Sequence, residues 1–129
     1  MSIAGVGIDI VSVGRFERIL ERHGDRFVDR ICLPGEARPG PPAARAQHLS
    51  GLFAAKEAVL KALGTGWDKG LGFRQVEVRR EGGGRPTIRL HDAAAELATS
   101  MGVVRVHISI THDHGIAAAM ALLEIGEDS

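Results

Sequence analysis

Three charged residues interrupt a run that otherwise reads as the inside of a protein. Between Gly51 and Gly66 the chain is GLFAAKEAVLKALGTG, and Lys56, Glu57 and Lys61 stand among alanine, leucine, valine and phenylalanine. A charge taken into such surroundings is strongly destabilising unless it is paired or binds something. A chain that keeps three there uses them to pair with one another or to hold a charged ligand. A further carboxylate, Asp9, follows two glycines in the stretch IAGVGIDIVSV from Ile3 to Val13.

Helical geometry sharpens the first observation. At about 100° per residue, Leu49, Leu52, Phe53, Val59, Leu60 and Leu63 share one face. Lys56 falls near the middle of that stripe, Glu57 at its edge and Lys61 one turn further on. Ala54, Ala55, Ala58 and Ala62 fill the opposite side, so this helix lacks a solvated face and belongs at the centre of the fold or beneath a partner. The plainest account of Glu57 and Lys61 is an i,i+4 ion pair, which leaves Lys56 unexplained. Residues 3 to 13 alternate as a strand. Gly5, Gly7, Asp9 and Val11 point one way, and the glycines leave room beside Asp9 for a ligand or for another backbone. A polar residue near a strand end is the plainest account of Asp9.

The bulk properties limit the function classes. With 129 residues, residues 1–129 are expected to form one domain. Lys+Arg and Asp+Glu balance at 16 each, so net charge gives no warrant for nucleic acid or for an anionic membrane. One cysteine, Cys32, excludes an intrachain disulfide and suits a reducing compartment. No apolar run is long enough to span a bilayer, and no signal-peptide pattern opens the chain. A soluble, cytoplasmic protein is expected.

The remaining pattern predicts an α+β fold with mostly antiparallel strands and a long central helix. Ser12 caps a short helix that His23-Gly24 ends, and Asp25 starts another through Arg30. Arg15, Arg18 and Arg22 form a basic stripe on the first of these. Residues 33 to 42 carry four prolines and two glycines and form a loop. The central helix follows from about Ala43 to Leu63. A strand from Gln75 to Arg80 turns through Gly82-Gly83-Gly84 into Thr87–Leu90. Asp92 is the expected cap of a helix that Gly102 stops. Val103 to Thr111 alternate as a strand and turn at His112-Asp113-His114-Gly115. The alanine-rich return, Ile116 to Leu123, reads as a strand from its hairpin context.

Three clusters taken together resemble the 4′-phosphopantetheinyl transferases. They are Gly7-Ile8-Asp9; Phe53-Ala54-Ala55-Lys56-Glu57-Ala58 with Lys61 and Gly64-Thr65-Gly66; and Ser109-Ile110-Thr111-His112 leading to Ala117-Ala118-Ala119. The resemblance runs from Val6 to about Ala121, and the short, single-lobed length is similar to the holo-acyl-carrier-protein synthase branch. Arg15 and the Gly84-Arg85-Pro86 turn also fit the family pattern.

The resemblance implies a transferase that moves the phosphopantetheine arm of coenzyme A onto a serine of an apo acyl carrier protein, releasing adenosine 3′,5′-bisphosphate, with Mg²⁺ as cofactor. It implies Asp9 and Glu57 as metal ligands, Glu57 or a water it holds as general base, and Lys61 as a charge beside the diphosphate. Ser109, Thr111 and His112 would hold the nucleotide end, while Gly64 and Gly66 let the backbone approach the coenzyme. It further implies a homotrimer with a site at each subunit boundary, and an acidic carrier from fatty-acid, polyketide or other synthesis docking on Arg15, Arg18 and Arg22. The family often carries an arginine where this chain has Leu52; Arg45 and His48 are the nearest replacements, and Glu36 matches a family acidic position only loosely. Two rivals compete: a binding module that has lost the chemistry, and a zinc site of His107, His112, Asp113 and His114. His23, His48 and His91 read as surface or capping residues.

Overall fold

The computed structural model describes residues 1–64, 70–80 and 82–126. Its elements are β1 (Ser2–Ser12), α1 (Val13–His23), α2 (Asp25–Ile31), α3 (Pro42–Ala62), a 3₁₀ turn (Phe73–Gln75), β2 (Val76–Arg79), β3 (Thr87–Leu90), α4 (Asp92–Ser100), β4 (Val103–Asp113) and β5 (Ile116–Ile125). The α+β expectation holds. An antiparallel sheet in the order β1-β5-β4 covers α3, and β2 and β3 form a separate hairpin. Among the described residues no helix is long and apolar enough to cross a membrane.

The sheet lies unusually close to α3 because its inner face is built from small residues. Gly5 and Gly7 on β1 join Ala117, Ala119 and Ala121 on β5. A Cβ on Gly5 would run into the carbonyl of Ala62, and one on Gly7 into the carbonyl of Ala58. The space beside Asp9 is therefore taken by another backbone, that of α3. The same demand explains the alanines of β5, a central strand in which large inward side chains would push the helix away. The β4–β5 turn has positive φ at His114 (48°) and Gly115 (75°), the pattern of a two-residue type I′ hairpin.

α3 is buried on nearly every side. From Leu49 to Leu63 only Phe53, Glu57 and Lys61 escape full burial, and they are spaced four apart along one line. Lys56 has no exposed surface. Its Nζ donates to Glu36 Oε1 at 2.8 Å, to the Phe73 carbonyl at 3.0 Å and to the Val76 carbonyl at 2.6 Å. Glu36 in turn accepts the Leu33 N–H at 2.7 Å and the Val78 N–H at 2.8 Å. This network fastens the proline-rich loop to α3 and to β2, so the charge that no local pairing explained is structural. Around it Phe27, Phe16, Phe53 and Phe73 touch in sequence, with ring centroids 5.5, 5.2 and 5.0 Å apart.

Three boundaries differ from expectation, the first being that His112 and Asp113 continue β4, paired with Ala117 and Ile116, so that the turn is His114-Gly115 alone. Asp92 does not cap α4. It sits at φ 51°, and Gln75 Oε1 accepts the Ala94 N–H at 2.9 Å instead. Gln75 is free to do so because it belongs to the 3₁₀ turn rather than to β2. Gly102 ends α4 as expected, at φ 80° with its N–H on the Thr99 carbonyl.

Candidate active site

The exposed line of α3 meets the one carboxylate on the inner face of β1. Asp9 pairs across the sheet with Ala119 and points toward the C-terminal half of the helix. Lys61 Nζ donates to Asp9 Oδ1 at 2.9 Å and to the Ile8 carbonyl at 3.1 Å. The amine thus reaches across to the sheet rather than back along its own helix to Glu57. The Asp9 side chain keeps 15% of its surface open and Lys61 51%.

Glu57 is half-buried and has no hydrogen-bond or ion-pair partner among the described residues. Its carboxyl is held above the ordinary carboxylate range, first by burial and then by the negative charge of Asp9, with Lys61 working against both. Two acids therefore bear on one another at the rim of the helix. A half-buried carboxylate without a partner, beside a second carboxylate, is a donor set suited to a hard divalent cation. It also suits a general base, because desolvation strengthens its hold on a proton.

Beside Glu57 opens an apolar groove of about 600 Å³, lined by Ile19, Phe27, Phe53 and Phe73, with His23, Arg26 and Arg30 along its edge. Arg15, Arg18 and Arg22 lie exposed on α1, whose N-terminus Ser12 caps through the Arg15 N–H at 3.2 Å. The same helix contributes Ile19 and His23 to the groove beside Glu57.

The remaining expected residues lie apart. His112 faces inward, its Nε2 3.0 Å from the Gln47 carbonyl and close over Gly51, against the N-terminal half of α3. Ser109 and Thr111 face outward on the same strand, opposite Met120 and Ala118. That outer surface is apolar on β1, where Ile10, Ile8 and Val6 are 66, 62 and 58% exposed, and on β5, where Ile116 and Met120 are exposed. Gly64 leaves α3 at φ 78°; Gly66 lies outside the described residues. Leu52 is buried. Arg45 bonds to Asp25 at 2.8 Å, and His48 bonds to the Glu36 carbonyl at 3.0 Å, so each nearest replacement for an arginine there is engaged. His48 is accordingly a brace for the loop and not a surface residue.

The zinc alternative does not assemble. His107 pairs with Glu124 at 2.9 Å, Asp113 with His114 at 2.6 Å, and His112 turns to the other face. No group of three or more His, Cys, Asp and Glu side chains suited to a metal ion occurs among the described residues. Burial pushes the Cys32 thiol up to about 11, so it is not a nucleophile at neutral pH. Sequence reasoning matched Glu36 only loosely to a family acidic position and missed its part in the site's frame, because its pairing with Lys56 across 20 residues has no local signature.

Comparison with known proteins concerns the chain as a whole. The sequence model of the 4′-phosphopantetheinyl transferase superfamily matches residues 5–119. A holo-[acyl-carrier-protein] synthase of Halorhodospira halophila is 46% identical over 127 residues, 96% of this chain and 99% of its own length. The holo-ACP-synthase of Plasmodium yoelii superposes with a TM-score of 0.85 at 31% identity, covering 98% of both chains. The Helicobacter pylori enzyme, solved in complex with coenzyme A, superposes at 0.79 with 30% identity over 92% of this chain and 99% of that one.

Proposed function

This chain belongs to the 4′-phosphopantetheinyl transferase superfamily, and we propose that Asp9, Glu57 and Lys61 are the groups with which it moves the phosphopantetheine arm of coenzyme A onto an apo acyl carrier protein. The carrying observation is the unpartnered Glu57 carboxylate raised by burial and by Asp9. Asp9 and Glu57 are the ligands for Mg²⁺. When bound, the cation supplies neutralisation of the diphosphate charge at the breaking P–O bond.

The chain's own residues do the rest. Glu57, or a water it holds, takes the proton from the carrier serine as its oxygen attacks the phosphorus next to the pantetheine. The bond from that phosphorus to the bridging oxygen breaks, and adenosine 3′,5′-bisphosphate leaves. Lys61, oriented by Asp9 and the Ile8 carbonyl, offers a positive charge to the diphosphate. Gly64, at the end of α3, lets the backbone approach the coenzyme, and Thr111, His112 and Ser109 serve its nucleotide end. Incubating apo carrier protein with coenzyme A and Mg²⁺ and weighing the product by mass spectrometry tests the reading: the carrier gains the arm. An unchanged carrier mass would overturn it.

The carrier docks on Arg15, Arg18 and Arg22. A basic stripe along one side of a helix, with Glu17 and Glu21 elsewhere on its surface, steers an acidic partner, and the apolar groove at its side receives the partner's non-polar residues. Arg15→Glu is expected to raise the KM for carrier protein about tenfold, an effect that shrinks with added salt, while the KM for coenzyme A stays nearly unchanged. Equal effects on both would make Arg15 structural.

Further copies of the chain cover the outer sheet face. Val6, Ile8, Ile10, Ile116 and Met120 form an exposed apolar surface of the kind that marks an interface. A homotrimer is the assembly expected by light scattering at micromolar concentration; a monomer there would count against it. A cytoplasmic setting accords with a single buried thiol.

A further inference from the structure

Gln75 uses its backbone and both ends of its side-chain amide. Its N–H donates to the Gly72 carbonyl at 3.1 Å, and its carbonyl accepts the His91 N–H at 2.8 Å. The side-chain Oε1 accepts the Ala94 N–H at 2.9 Å, and Nε2 donates to the Gly70 carbonyl at 2.8 Å. The partners fix which way round the amide lies, since an N–H only donates and a carbonyl only accepts. One side chain thus joins the first turn of α4 to the point at which the chain returns after α3. It takes no part in the proposed transfer chemistry.

The two ends of that amide act on different things. Oε1 serves the fold: the first N–H groups of a helix have no helical acceptor, and His91 supplies no side-chain cap to α4. Nε2 serves the returning chain. From Leu71 onward that chain is held by other means, since Leu71 is buried and Lys56 grips the Phe73 and Val76 carbonyls. Gly70 is not so held. It is exposed, its φ is 71°, and Gln75 is the only hydrogen-bond partner of its carbonyl among the described residues. Six positions earlier, Gly64 leaves α3 at φ 78° with its N–H on the Lys61 carbonyl at 2.9 Å. Glycine restrains its own backbone least of all residues, so each end of this span needs an external tie. The helix supplies one and the Gln75 amide nitrogen the other.

We propose that Gln75 is a positioning residue for coenzyme A: through the Gly70 carbonyl it fixes the return of the chain that Gly64 opens, and with it the backbone that the coenzyme approaches. The inference rests on the transferase reading, which places the coenzyme at Gly64. It gives Gln75 no contact with the coenzyme or with the reacting atoms. The effect is one of preorganisation, because a backbone already held in place loses less freedom when a ligand binds. Carrier docking is left alone, since its basic residues lie on α1 and Lys56 holds Phe73 in the wall of the apolar groove.

Glutamate and methionine at this position separate the two roles. The carboxylate of Gln75→Glu still accepts the Ala94 N–H, with a charge favourable at a helix N-terminus, but it cannot donate to Gly70. Gln75→Met keeps the length of the side chain and makes neither bond. Melting temperature, calorimetry with coenzyme A, and KM values for coenzyme A and for carrier protein are measured on the wild type and both variants. Gln75→Met is expected to melt below the wild type, and Gln75→Glu to recover most of that loss. Both variants bind coenzyme A at least about fivefold more weakly, with its KM raised to match and the KM for carrier protein nearly unchanged. The neutral methionine shows that the weakening does not come from added charge. Coenzyme affinity that returns together with stability in Gln75→Glu overturns the proposal, because Gln75 then acts on the fold alone; an equal rise in both KM values overturns it too. A wild type that transfers no arm, yet binds coenzyme A about fivefold more tightly than either variant, keeps the role of Gln75 and sinks the transferase reading. Arm transfer with equal coenzyme affinity in all three proteins does the reverse.

Discussion

Glutamine in place of Glu57 lowers the rate of arm transfer by about 10²–10⁴-fold, the range spanned by removal of a general base, and weakens the cation site as well. The same substitution does not weaken the fold. Because burial and Asp9 raise the folded carboxyl above its unfolded value, the native state binds more protons than the unfolded state in that interval. Stability therefore falls as pH rises from the ordinary carboxylate value through the folded one, and the penalty is fully present above it. An amide carries no such penalty. In the absence of metal the Glu57→Gln protein is expected to melt at or slightly above the wild-type temperature at neutral pH, and below it no advantage remains once pH drops under the ordinary carboxylate range. Added Mg²⁺ raises the melting temperature of the wild type and not of the variant. Loss of activity together with a large loss of stability would mean that Glu57 is structural.

Lys56→Met has the opposite signature. Its removal leaves Glu36, with 3% of its side chain exposed, as an uncompensated buried charge, and frees the Val76 carbonyl. Breaking one partner of such a pair costs about 3–5 kcal/mol, a large part of the about 5–15 kcal/mol that holds a domain together. Denaturant unfolding measures it directly. Replacing both partners with apolar residues does not restore the loss here, because the Leu33 and Val78 N–H groups would lose their acceptor. A Lys56→Met protein as stable as the wild type would mean that the network contributes little.

Much of this was legible before any coordinates. Period-two alternation placed β1 and β4, and the hairpin context of the expected His112-Asp113-His114-Gly115 turn kept the alanine-rich β5 a strand against its composition. The all-round apolar pattern of α3 announced a buried helix. What the pattern could not show was which side of that helix opens. Phe53, Glu57 and Lys61 are set apart from Lys56 only by what the loop and the sheet cover. Lys56 and Glu57 are adjacent in the chain and opposite in role: one is sealed by Glu36 and two carbonyls, the other is left at the rim. Such long-range pairings carry no local signal. The same holds for Gln75 capping α4 in place of Asp92. The glycines of β1 were readable as a close approach, but not as the approach of α3 itself, which is what brings Asp9 beside Lys61 and Glu57.

Mn²⁺ binding followed by electron paramagnetic resonance, with Mn²⁺ standing in for Mg²⁺ and coenzyme A present without carrier protein, tests the joint action of Asp9 and Glu57 most directly. The expected result is a saturable site in the wild type whose affinity drops at least about tenfold in both Asp9→Asn and Glu57→Gln, with folding intact. Undiminished Mn²⁺ affinity in either variant would contradict the assignment of these two carboxylates to one cation.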